Sequence, residues 1–171
     1  MSNLRATKPD ECGNYYAWGE TEPKSAYTWD TYFDTTDGGS TFTRYATDKK
    51  KVLEPEDDAA YAALGGNFRM PTYADWEKLI DECTWAWKTT DDGYAVNGFL
   101  VTGPNGKTIF LPAAGRYTSL LDNVGLSGYY WSSSLFTNNS GSAYFTSFTA
   151  AGASTTSHSR YLGFSIRPVS D

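Results

Sequence analysis

Two periodicities follow one another in this chain, and their order constrains the fold more than any other feature. From Thr72 onward, Trp76, Leu79, Ile80 and Cys83 recur at the i, i+3, i+4, i+7 spacing of one helix face, and Asp75 stands where a capping box places its acid. After Trp87 that repeat is gone, and short runs of aromatic and β-branched residues alternate with turn signals. Helical patterns first and strand patterns after predict an α+β protein, two helices packed on an antiparallel sheet.

The other elements are read in the same way. Residues 54–64 predict the first helix: Pro55 suits an opening position, Glu56, Asp57 and Asp58 form an acidic first turn, and Gly65-Gly66 stops it. The acids here read as a solvated helix start. Residues 14–20 are aromatic and flanked by Gly, which reads as a strand or an extended ribbon. Residues 98–102 and 107–111 flank Gly103-Pro104-Asn105-Gly106, a strong hairpin turn. Further strands are expected over 128–133, 142–149 and 160–169. Between Thr21 and about Asp48 lies a long polar region whose Tyr27, Trp29, Tyr32, Phe33, Phe42 and Tyr45 are expected to pin an irregular loop to the core.

Composition narrows the function. The 171 residues suit one domain with a sizeable core, and 16% aromatics, with 13 Tyr and 6 Trp, supply rigid amphipathic surface for packing and for recognition. A net charge of -6 lacks the basic stripe that nucleic acid requires and disfavours anionic membranes. No run is long and apolar enough to span a bilayer, and the opening Met1-Ser2-Asn3-Leu4-Arg5 does not read as a secretory signal. Cys12 and Cys83 allow one disulfide at most; Cys83 falls on the apolar helix stripe, which favours a packed thiol.

Catalytic and metal chemistry find little to build on. Asp34, Asp37 and Gly38 resemble a calcium loop only in outline, because the alternating acids and terminal Glu are missing, and Asp91-Asp92-Gly93 is turn chemistry. His158 is the one histidine and lies in the Ser/Thr-rich stretch 153–160, read as an exposed loop. No metal spacing and no phosphate cradle occur, so neither a cofactor nor a metal is expected. Asn138-Asn139-Ser140 matches a glycosylation sequon, a short pattern. From Thr108 to Asp171 there is no Lys, Glu, Gln or Met, and 132–159 is dominated by Ser, Thr, Ala, Gly, Asn, Tyr and Phe. That is a paratope palette, aromatics for area and small polar residues for adaptable hydrogen bonds, although a plain Ser/Thr-rich hairpin has the same composition.

Several strings taken together resemble one family. They are Tyr15 to Thr21 (YYAWGET), Leu53 to Ala60 (LEPEDDAA), Gly65 to Thr72 (GGNFRMPT), Cys83-Thr84-Trp85, Ile109 to Gly115 (IFLPAAG), Tyr129 to Ser134 (YYWSSS) and Gly163 to Val169 (GFSIRPV). In this order they resemble the Fibrobacter succinogenes major paralogous domain of gut Bacteroidetes, across nearly the whole chain. The resemblance implies a C-type-lectin-like fold of the formylglycine-generating-enzyme subtype. It extends to the variable proteins of diversity-generating retroelements, whose C-terminal segment is diversified at adenines, mostly in Asn codons. Such mutation cannot yield Lys, Glu, Gln, Met or Trp, which fits the absences above. Relatives usually carry a further strand before the segment aligned with residues 3–7.

By this resemblance Tyr129, Trp131, Ser132, Ser133, Gly163, Phe164, Arg167 and Pro168 are scaffold. The candidate variable, ligand-binding positions are Tyr117, Leu126, Tyr130, Leu135, Phe136, Thr137, Phe145, Ser147, Thr149, Ser154, Thr156, His158, Tyr161 and Leu162. The expected protein is a non-catalytic, monomeric binding domain for an unknown protein or glycan on a cell surface, carried on a bacterial surface or a phage tail. Formylglycine-generating activity is excluded, since no cysteine follows Cys83. The sugar-binding calcium strings of C-type lectins are also absent. Two alternatives stand beside this reading: a non-diversified structural or adhesive domain of a bacterial lipoprotein, and a glycan hydrolase with two carboxylates in one cleft.

Overall fold

A computed structural model describes residues 1–45 and 50–170. Its elements in chain order are β1 (Tyr15–Tyr16), α1 (Ala59–Leu64), β2 (Phe68–Arg69), α2 (Tyr73–Glu82), β3 (Thr84–Lys88), β4 (Gly98–Thr102), β5 (Thr108–Pro112), β6 (Arg116–Tyr117), β7 (Leu121–Asp122), β8 (Ser127–Leu135), β9 (Ser142–Thr149), β10 (Gly152–Ser159), β11 (Phe164–Ser165) and β12 (Val169–Ser170). This is a mixed α+β structure, mostly sheet, with two α-helices among the described residues. No helix among the described residues is long and apolar enough to cross a membrane.

The main sheet has the order β1-β11-β8-β9-β10. Side chains alternate between its faces, and the register fixes which meet. Gly128 faces Phe148 and Tyr130 faces Thr146, so Tyr130 and Phe148 point to the same side. There they join Trp76 of α2 with Phe99, Val101 and Leu111 of the β3-β4-β5 sheet in one buried cluster. Gly128 is required at its position, because a Cβ would lie 2.1 Å from the Phe148 ring. On the other side, Trp131, Phe145 and Phe164 pack ring to ring (centroids 4.3, 4.9 and 6.0 Å) beneath Trp18, Tyr45 and Leu53. Each such aromatic contributes about 1.5–3 kcal/mol of burial.

Helix α2 begins as its sequence demands. Thr72 Oγ1 accepts from the Asp75 N–H while the Asp75 carboxylate accepts from the Thr72 N–H at 2.8 Å, and Trp76 fills the core. The β4–β5 hairpin forms in the expected register, Thr102 opposite Thr108. The Asp91-Asp92-Gly93 turn also forms, with Gly93 left-handed.

Four expectations need correction. The helix read over 54–64 is a 3-10 turn, Pro55–Asp57, followed by α1, because Asp58 leaves the helical conformation to become an N-cap. Its carboxylate accepts from Ala60, Tyr61 and Met70 N–H groups, and Asp57 holds Arg44 and the Tyr45 hydroxyl, so both acids are buried rather than solvated. The stretch 153–160 is not a loop: β10 pairs with β9 from Gly152 to Ser159. The strand read over 160–169 survives only as β11 and β12, since Arg160 to Gly163 turn to carry the chain past β8. Finally, the sheet is not wholly antiparallel, because β11 enters beside β8 running the same way, Ser165 opposite Tyr130. In the polar region 21–45, Tyr27, Tyr32, Phe42 and Tyr45 are buried as expected while Phe33 is exposed; residues 46–48 of that region lie outside the described residues. Cys12 and Cys83 are both free and half-buried.

Candidate binding surface

The strand period that points Tyr130 and Phe148 toward α2 turns Tyr129, Ser147 and Thr149 to the opposite side, where they lie beyond the buried Trp131–Phe145 pair. On β10, Ser154, Thr156 and His158 are exposed at every second position. Ser154 lies opposite Ser147, Gly152 opposite Thr149, and Ser147 in turn opposite Tyr129. These residues therefore share one outer face. Ser127, Tyr129, Ser147, Thr149, Gly152 and Ser154 line a shallow depression of about 180 Å3. That is smaller than the usual pocket for a small ligand, about 300–1,000 Å3, and suits a side chain of a larger partner.

Leu126 precedes Ser127 at the Thr149 end of this face and is 65% exposed; Leu120 (74%), Leu121 and Val124 are exposed on the adjoining segment. Four large apolar side chains are thus left in water within seven residues. Arg116 lies 4.9 Å over the Tyr129 ring and pairs with Asp122 at 3.2 Å. Partial burial and the Arg116 charge hold His158 below its ordinary 6.5, which favours the neutral imidazole. Its Nδ1 accepts the Ser159 N–H at 2.8 Å.

Beside this face opens a groove of about 460 Å3 lined by Tyr27, Trp29, Asp30, Thr118, Ser119 and Tyr161. Trp29 and Tyr161 meet edge to face at 4.7 Å. What holds the groove is buried. Arg160, immediately before Tyr161, is wholly inaccessible, pairs with Asp34 at 3.1 Å and lies among Trp18, Tyr32 and Phe42, its carbon Cζ 5.2, 5.6 and 4.2 Å from the ring centroids. Asp34 Oδ1 also accepts from the Thr43 and Arg44 N–H groups and from Thr43 Oγ1, tying the irregular region to the end of β10. Its carboxylate is thereby engaged in packing.

The structure divides the fourteen candidate positions. Ser147, Thr149, Ser154, Thr156 and His158 come together on the outer face, exposed Leu126 lies next to Ser127 at its end, and half-buried Tyr161 stands at the groove. Tyr117 is half-buried against Tyr15 and Tyr27, at 5.6 and 5.3 Å. Phe136 packs on Tyr144 at the far end of β8, with exposed Thr137 beside it, away from the others. Tyr130, Leu135, Phe145 and Leu162 are buried and leave the set. Tyr130 points inward by strand parity and donates its hydroxyl to the Pro112 carbonyl; Leu135 is turned into the core after the irregularity that follows Trp131; Phe145 and Leu162 lie in the cluster around Trp131.

Sequence reasoning missed Arg116, Trp29, Asp30, Thr118 and Ser119 as surface partners. Trp29 was legible only as a loop pin, and nothing local to Arg116 signals that β6 brings it against Tyr129. Among the described residues no three His, Cys, Asp or Glu side chains gather as a metal site. No protein-family model, curated protein or solved structure matches the chain.

Proposed function

We propose that this protein is a non-catalytic recognition domain of C-type-lectin-like fold, and that its ligand contacts the outer face of β8–β10 with the neighbouring Trp29–Tyr161 groove. The observation that carries this reading is the convergence of Ser147, Thr149, Ser154, Thr156 and His158, with Leu126 and Tyr161 at its margins. The first five lie on one outer face over a core of rigid aromatics, with Tyr161 at the neighbouring groove and Leu126 at the end of the face. Small hydroxyls on that surface form hydrogen bonds in many directions, Tyr129 and the exposed leucines supply area, and Arg116 supplies a charge for orientation. The α+β architecture, the long β8–β10 meander and the short β12–β2 pairing support the lectin-like assignment together with the family resemblance. The ligand is a protein or glycan of a cell surface.

A combinatorial library tests it. Ser147, Thr149, Ser154, Thr156 and His158 are randomised together and the variants are displayed on yeast. Most variants should remain folded, and selection against unrelated target proteins should yield binders. A matched library at Tyr130, Leu135, Phe145 and Leu162 should lose display. Loss of folding in the first library, or no binder from it against any target, would overturn the assignment.

A further inference from the structure

The main sheet ends on an open edge. Arg160 N–H donates to the Gly141 carbonyl across the β9–β10 pair, so the even-numbered residues of β10 turn their backbone groups toward β9. By the same alternation Ala153, Thr155 and Ser157 direct N–H and C=O groups away from the sheet. No backbone bond from another described segment reaches these three residues. The remaining sheet edges among the described residues are short or blunted: β1, β2, β6, β7 and β12 have 2 residues each, β3 ends on Lys88 and β5 ends on Pro112. β10 has 8 residues, with no Lys, no Pro and no bulge against β9, and so lacks the usual devices that keep other strands away.

We infer that β10 is a strand-addition site, which pairs along Ala153, Thr155 and Ser157 with an extended segment of a partner protein bearing basic side chains. Water satisfies the outward groups in the free chain, another extended backbone can replace it in register, and the small side chains of β10 leave room for one. Charge sets the kind of segment. Helix α2 packs beneath β10, with Trp76, Leu79 and Cys83 in the same cluster as Ala153, and it carries Glu77, Asp81 and Glu82 against Lys78. The whole chain is at -6. A second copy would bring a second acidic helix to the same edge, whereas a basic strand is attracted. The inference is independent of the outer-face reading, because backbone and not side chains make the contact.

The probe is a blocked synthetic peptide of alternating lysine and valine, of the same length as β10, titrated into the 15N-labelled protein. Free protein should exchange the amides of Ala153, Thr155 and Ser157 rapidly and those of Ser154, Thr156 and His158 slowly. Peptide should shift and protect the first three. A twin N-methylated along one edge, and one with Glu in place of Lys, should each bind at least about ten-fold more weakly. Thr155→Pro, which removes an outward N–H and leaves the bonds to β9, should do the same with an unchanged fold. Equal binding of the N-methylated twin, slow exchange of the three amides in free protein, or self-association through β10 would each overturn the inference.

Discussion

Replacing Asp34 with Ala strands a guanidinium in the core. Arg160 and Asp34 are both inaccessible, and Arg160 Nε and Nη1 have no hydrogen-bond partner among the described residues. The three rings around Arg160 compensate part of its desolvation through their faces, while Asp34 is its one ion-pair partner among the described residues. Removing one member of a buried pair costs about 3–5 kcal/mol, because the other stays buried without compensation. The Thr43 and Arg44 N–H groups that lose an acceptor are not deeply buried and regain one from water, so they add little. For a chain of this size the expected fall in Tm is about 10 °C. Urea unfolding followed by tryptophan fluorescence and circular dichroism reads it directly. Asp34→Asn keeps an acceptor for Thr43 and Arg44 and isolates the charge; Asp34→Asn with Arg160→Met should be less destabilised than Asp34→Ala alone, since no unpaired charge remains. A cost below about 1 kcal/mol for Asp34→Ala would refute the reasoning and mean that the aromatic rings suffice.

Phe145→Ser should destabilise by about 3–5 kcal/mol in the same assay, whereas Ser147→Phe, on the outer face two residues on, should change stability by less than about 1 kcal/mol. His158 gives a pH dependence: its folded pKa is depressed, so its contribution is present above 6.5 and is lost as pH falls through the lower folded value. Between about pH 7 and 5 the wild-type urea midpoint should therefore fall further than that of His158→Gln, and parallel curves would count against it. Sequencing the locus and its flanks across isolates should find substitutions at adenine-containing codons for Leu126, Ser147, Thr149, Ser154, Thr156, His158 and Tyr161, with Tyr130, Leu135, Phe145 and Leu162 constant. Uniform drift would favour a plain surface domain.

The sequence alone determined what depends on neighbours along the chain. The Thr72–Asp75 cap and the Trp76 face of α2 are set within a few residues, as are the turn after Gly103 and the α+β order. The paratope-like composition of the last third was equally legible. What the tertiary structure decided was which side of a strand each residue occupies. Tyr130 and Tyr129 are indistinguishable in composition, yet strand parity buries one and leaves the other beside the outer face. Ser/Thr alternation over 153–160 carries no hydrophobic signal, and only pairing with β9 makes it a strand. Asp57 and Asp58 resemble a solvated helix start until Arg44, Tyr45 and Met70 arrive from elsewhere in the chain to engage them. Local patterns fix local conformation because the energies involved are those of caps and turns; the choice of face, the buried charge and the open edge arise from contacts between segments far apart in sequence, which no local pattern encodes.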